Sequence, residues 1–585
     1  MENSRNIILV VILSMALLLG WESAMNYFYP QPEEVPVTSE KIDTPAEQVA
    51  VEHSRTGGLT DPAMIAAEKA DLETALAAGD RLQIDSPRIA GSIDPRGAMI
   101  DDIVLKDYAE STDSDSGPVR IFSPRGTPAQ QYAQFGFLVN GQKVSDDAVW
   151  AASGGTLSPG NPVTLRQDAG NGITLEQRYA IDENYMITVE QSVANRGSSP
   201  AVIQPFGLVG RTSDTASEDF FIAHSGPIGV FGDSANYDYD YDDVEEAARV
   251  SPEGRASWLG FTDIYWLSAL VPQDGAASDA TFRSLGGNLY RADMIYDPVT
   301  VPAGRRHTTT SRLYAGAKES TVLDSYEDAG LAKFGLAIDW GWFRWFEKPL
   351  LWLLRNIYAL VGNFGVAIIG LTVIVRGIMF PIAQKQFASM ASMKAIQPKM
   401  KVIQEKHKDD RLKQQQEMQK LFKEEKVNPL AGCMPLILQI PIFFALYKVL
   451  YLAIEMRHRD FLWIKDLSAP DPATVLNLFG LLPFTPPSFL AIGVLAILLG
   501  VTMWLTFKLN PSSMDPVQQQ VFSIMPWVLM FIMAPFAAGL LLYWVTSNIL
   551  TLAQQKYLYS KHPQLKAAAE KERAEKAASA ARAEG

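Results

Sequence analysis

Five stretches in the second half of the chain, 356–381, 430–452, 489–507, 521–536 and 538–557, are apolar at nearly every position, whereas residues 86–325 alternate apolar and polar side chains in short runs. Continuous apolar runs of about 20 residues predict membrane-spanning helices. Period-two alternation predicts half-buried strands. A sixth apolar run, Ile7–Gly20, follows Arg5 and leads into Trp21, Tyr27, Phe28 and Tyr29. No clean small-x-small cleavage pattern follows it and the aromatics suit a membrane interface, so residues 1–29 are predicted to be an uncleaved signal-anchor span.

The polar segments sort by composition. Residues 30–85 are rich in Pro, Glu, Ala, Ser and Thr and predict a flexible linker, with a short helix near Pro62–Ala78. In the alternating region, Ile173–Ile181 and Met186–Val193 flank a four-residue turn, and similar runs recur at 131–138, 201–210, 258–272 and 286–293. Together they predict a large all-β antiparallel sandwich. Asn236–Asp243 lacks the glycine and closing glutamate of a calcium loop, so it is read as a solvated acidic loop and no metal is expected. Residues 331–352 crowd Phe334, Trp340, Trp342, Phe343, Trp345 and Phe346 around Asp339, Arg344, Glu347 and Lys348. That mixture predicts an amphipathic helix lying in the headgroup layer, the alternative being a core helix of the β-domain. Residues 384–427 hold 11 Lys+Arg against 6 Asp+Glu and several methionines. They predict a surface helical hairpin, bent at Pro398 and turning at Lys408-Asp409-Asp410.

Charge orients these pieces. The chain carries −14 overall, but residues 1–330 carry −25 and residues 331–585 carry +11. Basic loops are retained on the cytoplasmic side and an acidic domain is readily translocated. The expected topology therefore has six spans, cytoplasmic termini, a cytoplasmic hairpin and charged tail (558–585), and the β-domain outside. Cys433 is the only cysteine, which excludes an intrachain disulfide and a multi-cysteine metal site.

One residue breaks the apolar pattern. Arg376 lies five positions before Pro381, so about 7–8 Å inside that end of its span, where a charge costs roughly 3 kcal/mol on insertion scales. Snorkelling to the headgroups is one explanation. The later spans, however, offer no Asp, Glu or His as partner, and a buried charge must be paired or hydrated. The alternative is a water-filled groove. Thr372 lies one turn from Arg376, and Gln439, Ser523, Thr546 and Asn548 are further polar groups at depth, although each could equally be back-bonded or join helices. Pro435, Pro441 and Pro526 are tolerated at depth beside protein or water. Such a groove could hold the polar end of a segment while its apolar part enters lipid at roughly 0.8 kcal/mol per CH₂. No phosphate-binding G-x-x-x-x-G-K-[ST] loop is present.

The stretches GNFGVAIIGLTVIVRGIMFP, QPKMKVIQEK, EKVNPLAGCMPLILQIPIFFALYKVLY, DLSAPDP and GLLLYWVTSNILTLAQQ resemble the YidC/Oxa/Alb membrane-insertase family in its six-span Gram-negative form. The resemblance implies a polytopic α-helical membrane protein with a five-helix core and a periplasmic β-supersandwich, inserting and folding inner-membrane proteins alone or beside the Sec translocon. It implies a hydrophilic groove open to cytoplasm and lipid, with Arg376 as its arginine and Thr372 as its helix neighbour. Gln439, Ser523, Tyr543, Trp544 and Asn548 are the remaining groove candidates. The family's slide falls on the third and fifth spans, here Ile442, Phe443, Phe444, Met530 and Phe531. Where relatives often have two tyrosines in the last span, this chain has Tyr543-Trp544, and an indole donates but does not accept a hydrogen bond. The implied partners are nascent membrane proteins, the Sec translocon with its accessory subunits, the ribosome and the phospholipid bilayer. No cofactor and no nucleic-acid sequence recognition are expected. The hairpin is expected to be required and the β-domain largely dispensable.

A transporter or channel is the main alternative, but repeated halves and intramembrane ionisable pairs are absent from the pattern. An enzyme site in the β-domain would have to use His224 and His307, which the sequence does not bring together. A pure scaffold would make Arg376 dispensable.

Overall fold

The computed structural model describes residues 59, 61–77, 80–113, 116–217, 223–232, 234–273, 278–341, 344–407, 410–425, 434–479, 482, 491–509 and 516–561. The expected anchor (1–29), most of the linker and the charged tail lie outside the described residues.

The alternating region forms two antiparallel sheets. The larger has eleven strands, and its main path runs Leu82–Asp85, Ile89–Asp94, Met99–Ala109, Gln131–Val139, Ala201–Thr212, Leu289–Tyr296, Ser278–Gly286 and Arg249–Val250. The second has nine, including Gly226–Phe231, Ala256–Thr262, Trp266–Val271, Arg306–Ala317, Met186–Asn195 and Ile173–Ile181. The expected hairpin is present, with Ile187 opposite Ile181, and Ile173–Ile181 buries every second residue. The run expected as one strand at 258–272 is a hairpin, because Asp263, Ile264 and Tyr265 turn the chain between two strands. The run at 286–293 shifts to Leu289–Tyr296, because Gly286 (φ +77°), Gly287 (+61°) and Asn288 (+60°) form the preceding turn. Phe122, Phe135, Phe137, Tyr179 and Trp258 fill the space between the sheets. Gln177 and Gln191 donate across it to the carbonyls of Phe135 and Gly136, both at 2.8 Å, so buried amides tie the layers together.

Three short helices attach to this sandwich: α1 (Pro62–Ala77), α2 (Tyr241–Ala247) and α3 (Ser320–Asp328). The expected acidic loop is in part helical. Asp240 caps α2 and exchanges hydrogen bonds with Asp243, so these carboxylates are spent on a helix start. Among the described residues no group of side chains could hold a metal ion.

The second half is helical: α4 (Arg344–Val361), α5 (Phe364–Lys406), α6 (Arg411–Glu424), α7 (Met434–Leu452), α8 (Val494–Leu509), α9 (Pro516–Met533) and α10 (Ala538–Lys561). The aromatic stretch 331–352 divides. Its first part is a 3-10 turn at Phe334–Ala337, buried against Trp258 and Tyr314 in the β-domain core, and only its second part belongs to α4. The span expected from Asn356 starts at Phe364 instead. Gly362 (φ +73°) ends the preceding helix, and the Asn363 side chain caps the next by accepting from the Val366 N–H at 3.1 Å. Helix α5 then runs on through Pro381 and Pro398 for 43 residues, so the first hairpin arm and the span are one helix. Helix α5 ends at Lys406 and Asp410 caps α6, while Lys408 and Asp409 of the expected turn lie outside the described residues. Phe364–Gln384 is long and apolar enough to cross a bilayer, with mean hydropathy 2.2, while Ile440–Leu452, Val494–Lys508 and Ser523–Met533 are apolar but shorter.

Candidate functional site

Helix α5 sets the position of the unpaired cation. Arg376 lies twelve residues past Phe364, roughly 18 Å along the helix. Neighbouring Val373, Ile374 and Ile378 are exposed, whereas Ala367, Ile368, Leu371 and Thr372 are buried against the other helices. The guanidinium sits half-buried between these faces.

Its partner comes from α10. Arg376 Nε donates to Ser547 Oγ at 3.0 Å, and a second guanidinium nitrogen donates to the same hydroxyl. Gln554 reaches the Arg376 carbonyl at 3.5 Å. Buried Tyr543, one turn before Ser547, adds an electrostatic contact with the arginine. Among the described residues no carboxylate pairs with Arg376. One hydroxyl oxygen leaves most of the five guanidinium N–H groups available to another acceptor.

The other expected groove residues divide. Thr372 is fully buried and donates to the Ile368 carbonyl at 2.6 Å, so its hydroxyl is absorbed by its own helix. Asn548 turns away from Arg376 and donates to Thr502 on α8 at 3.2 Å, joining two helices. Trp544 packs on Phe443 with ring centroids 4.7 Å apart, and Phe443 stacks on Tyr447. Ser523 is exposed on α9. Gln439 lies on α7, and its side chain is outside the described residues.

The expected slide divides in the same way. Phe444 and Phe531 are exposed, 42% and 55%, whereas Ile442 and Met530 are buried and Phe443 is half-buried. Met530 packs over Gly500, where an added Cβ would approach its side chain to 3.3 Å. Ile440 extends the exposed face of α7, and Ile524, Val528 and Ile532 extend that of α9. These spacings form one apolar stripe along each helix.

Sequence reasoning missed Ser547 as the arginine's partner and missed a second charge at depth. Ser547 could have been found from its spacing, one turn after Tyr543. Lys448 stands out in the apolar run of α7 and pairs with Asp339 at 3.1 Å. Beside this pair, burial pushes the Glu347 carboxyl up to about 7, against the pull of Lys448, and one of its oxygens has no hydrogen-bond partner. The same end of the molecule carries the bonds that join helices to sandwich. Arg457 donates to the carbonyls of Ala109 (2.7 Å) and Glu110 (3.0 Å) of the sandwich, while the nearby Arg355–Glu455 pair ties α4 to the turn that follows α7.

Residues 81–353 match the family described as the YidC periplasmic domain, and residues 356–566 match the 60Kd inner membrane protein family. A protein of Beijerinckia indica subsp. indica named membrane protein insertase YidC is 40% identical over 95% of this chain and 96% of its own length. One of the same name from Rhizobium etli is 41% identical over 96% of both chains. A crystal structure titled as an active YidC insertase with its first transmembrane domain resolved aligns over 82% of this chain and 92% of its own, at 18% identity and a TM-score of 0.35.

Proposed function

Since the chain belongs to the YidC family of membrane protein insertases, we propose that it receives client segments at Arg376 and releases their apolar parts into lipid along α7 and α9. The observation that carries this reading is the arginine's environment: an always-charged group held by one hydroxyl, with no carboxylate to neutralise it among the described residues. A client's acidic or carbonyl-rich stretch supplies the missing acceptors. Ser547 holds the guanidinium in place with Tyr543 beside it, and the exposed stripes through Phe444 and Phe531 accept the client's apolar residues.

In this reading Ser523 and Gln439 line the client's path, while Thr372, Trp544 and Asn548 set its walls. The six-span topology, with cytoplasmic termini and hairpin, puts the open side of the site toward the cytoplasm, where a ribosome or the Sec translocon delivers clients. No energy source beyond partitioning is required. Relatives of this family are insertases and not enzymes, so no catalytic residue is assigned.

Site-specific photocrosslinking tests the proposal. A crosslinker at position 444 or 531 should capture a stalled nascent membrane protein in native membranes, while one at buried position 548 should capture it several-fold less. Equal capture at all three positions overturns the assigned path.

A further inference from the structure

Residues 461–479 lie in the connection between α7 and α8, at the end of the helices that faces the β-domain. It is not a loose connection. Phe461 packs on the first turn of α5, where a Cβ at Gly365 would fall 2.2 Å from its ring. Asp471 is buried and accepts from the Leu495 N–H of α8 (2.8 Å), the Ala473 N–H (3.0 Å) and the Trp463 indole (3.0 Å). Thr474 and Asn477 exchange side chain to backbone hydrogen bonds at 2.9 and 3.3 Å, and Asn477 also donates to the Pro472 carbonyl at 2.8 Å.

This polar frame points bulky apolar residues outward. Leu462 is 74% exposed and Phe479 57%, with Trp463, Leu476, Leu478 and Leu482 also exposed. Three of them adopt left-handed backbone, Leu462 (φ +55°), Leu478 (+50°) and Phe479 (+61°), a region that side chains of this size rarely occupy. Both acidic side chains of 461–479, Asp466 and Asp471, are buried, and Lys465 is the exposed charge. Helix α8 has 16 residues, about 24 Å, short of the roughly 30 Å hydrocarbon core.

We propose that segment 461–479 is a lipid anchor, a rigid apolar knob that enters the membrane leaflet on the β-domain side and rests Lys465 among phospholipid phosphates. The position follows from its attachment to the ends of α5 and α8, which continues the lipid-facing surface past the end of the short helix. Its charge pattern, apolar with a cation and with carboxylates turned inward, suits an anionic phospholipid surface.

The test uses the full chain with Cys433→Ser, labelled with a nitrobenzoxadiazole dye at Phe479→Cys and reconstituted at low density in phosphatidylethanolamine–phosphatidylglycerol vesicles. Leu476→Cys serves if the first variant does not fold, and Val149→Cys, on the exposed surface of the sandwich, is the reference. The expected result is blue-shifted emission, quenching by spin-labelled lipid, and about fivefold weaker quenching by iodide than at position 149. Iodide quenching equal to that at position 149 overturns the proposal. Protection from both quenchers that disappears on dilution in the bilayer overturns it too, since it assigns the knob to a second copy of the chain.

Discussion

Lys448 and Arg376 both interrupt apolar stretches of helix, and they are treated differently. Lys448 meets Asp339 and Glu347 at the junction with the β-domain, whereas Arg376, about a third of the way along α5, meets a serine hydroxyl and, among the described residues, no carboxylate. A carboxylate neutralises a cation and fixes two elements together. A hydroxyl orients a cation and leaves its charge in force. The first site joins the helices to the domain beside them, and the second, in the function proposed above, keeps its charge for a client.

Neutralising the lysine should have the largest effect. Lys448→Met leaves Asp339 and Glu347 without their cation and should destabilise the protein by about 3 kcal/mol, the low end for breaking a buried pair because Asp339 keeps some solvent. Thermal unfolding in detergent measures this, and adding Asp339→Asn should recover part of it. If insertion per folded molecule falls as far as stability, the lysine is more than a joint.

Arg376→Ala should leave stability nearly unchanged and reduce insertion of clients with acidic translocated segments about 30-fold, roughly 2 kcal/mol. Neutral clients should lose less, as read by protease protection in vesicles. Equal losses would show that attraction to negative charge is not its role. Arg376→Lys should retain part of the activity if a point charge suffices.

The third prediction concerns pH. The Glu347 carboxyl is raised from an ordinary 4.5 to about 7 by burial, so the folded protein holds a proton that the unfolded chain has released between those values. Stability should therefore fall as pH rises through this window, by up to about 3 kcal/mol, and be flat above it. Glu347→Gln should remove the slope, and an unchanged slope would assign it to another group. The smallest effect belongs to Ser547→Ala, about 1 kcal/mol of orientation, seen as a few-fold loss of insertion with unchanged unfolding temperature.

The sandwich was legible because a strand at a buried interface writes its environment at every second residue, as Ile173–Ile181 does. Apolar helices write less. A run such as Leu430–Leu452 announces burial in lipid or protein but not which face meets which neighbour. The sequence therefore presented Thr372 and Asn548 as equivalent polar residues and passed over Ser547, and only packing separates a back-bonded hydroxyl, a helix joint and an arginine's partner. Helix ends were also obscured. The Gly362-Asn363 break lies inside a mainly apolar stretch, where hydropathy runs on but the backbone does not. Lys448 escaped notice because its carboxylate partners lie a hundred residues away in sequence.

Helix α5 has a mechanical side. It is a rod of 43 residues, about 65 Å long, with Arg376 near one third of its length and the surface arm at its far end. Pro381 lacks the N–H that would bond the Gly377 carbonyl, which leaves a soft joint one turn beyond the arginine. Pro398 leaves a second such joint nearer the end of the arm, so the rod has two places to yield, one of them beside the guanidinium.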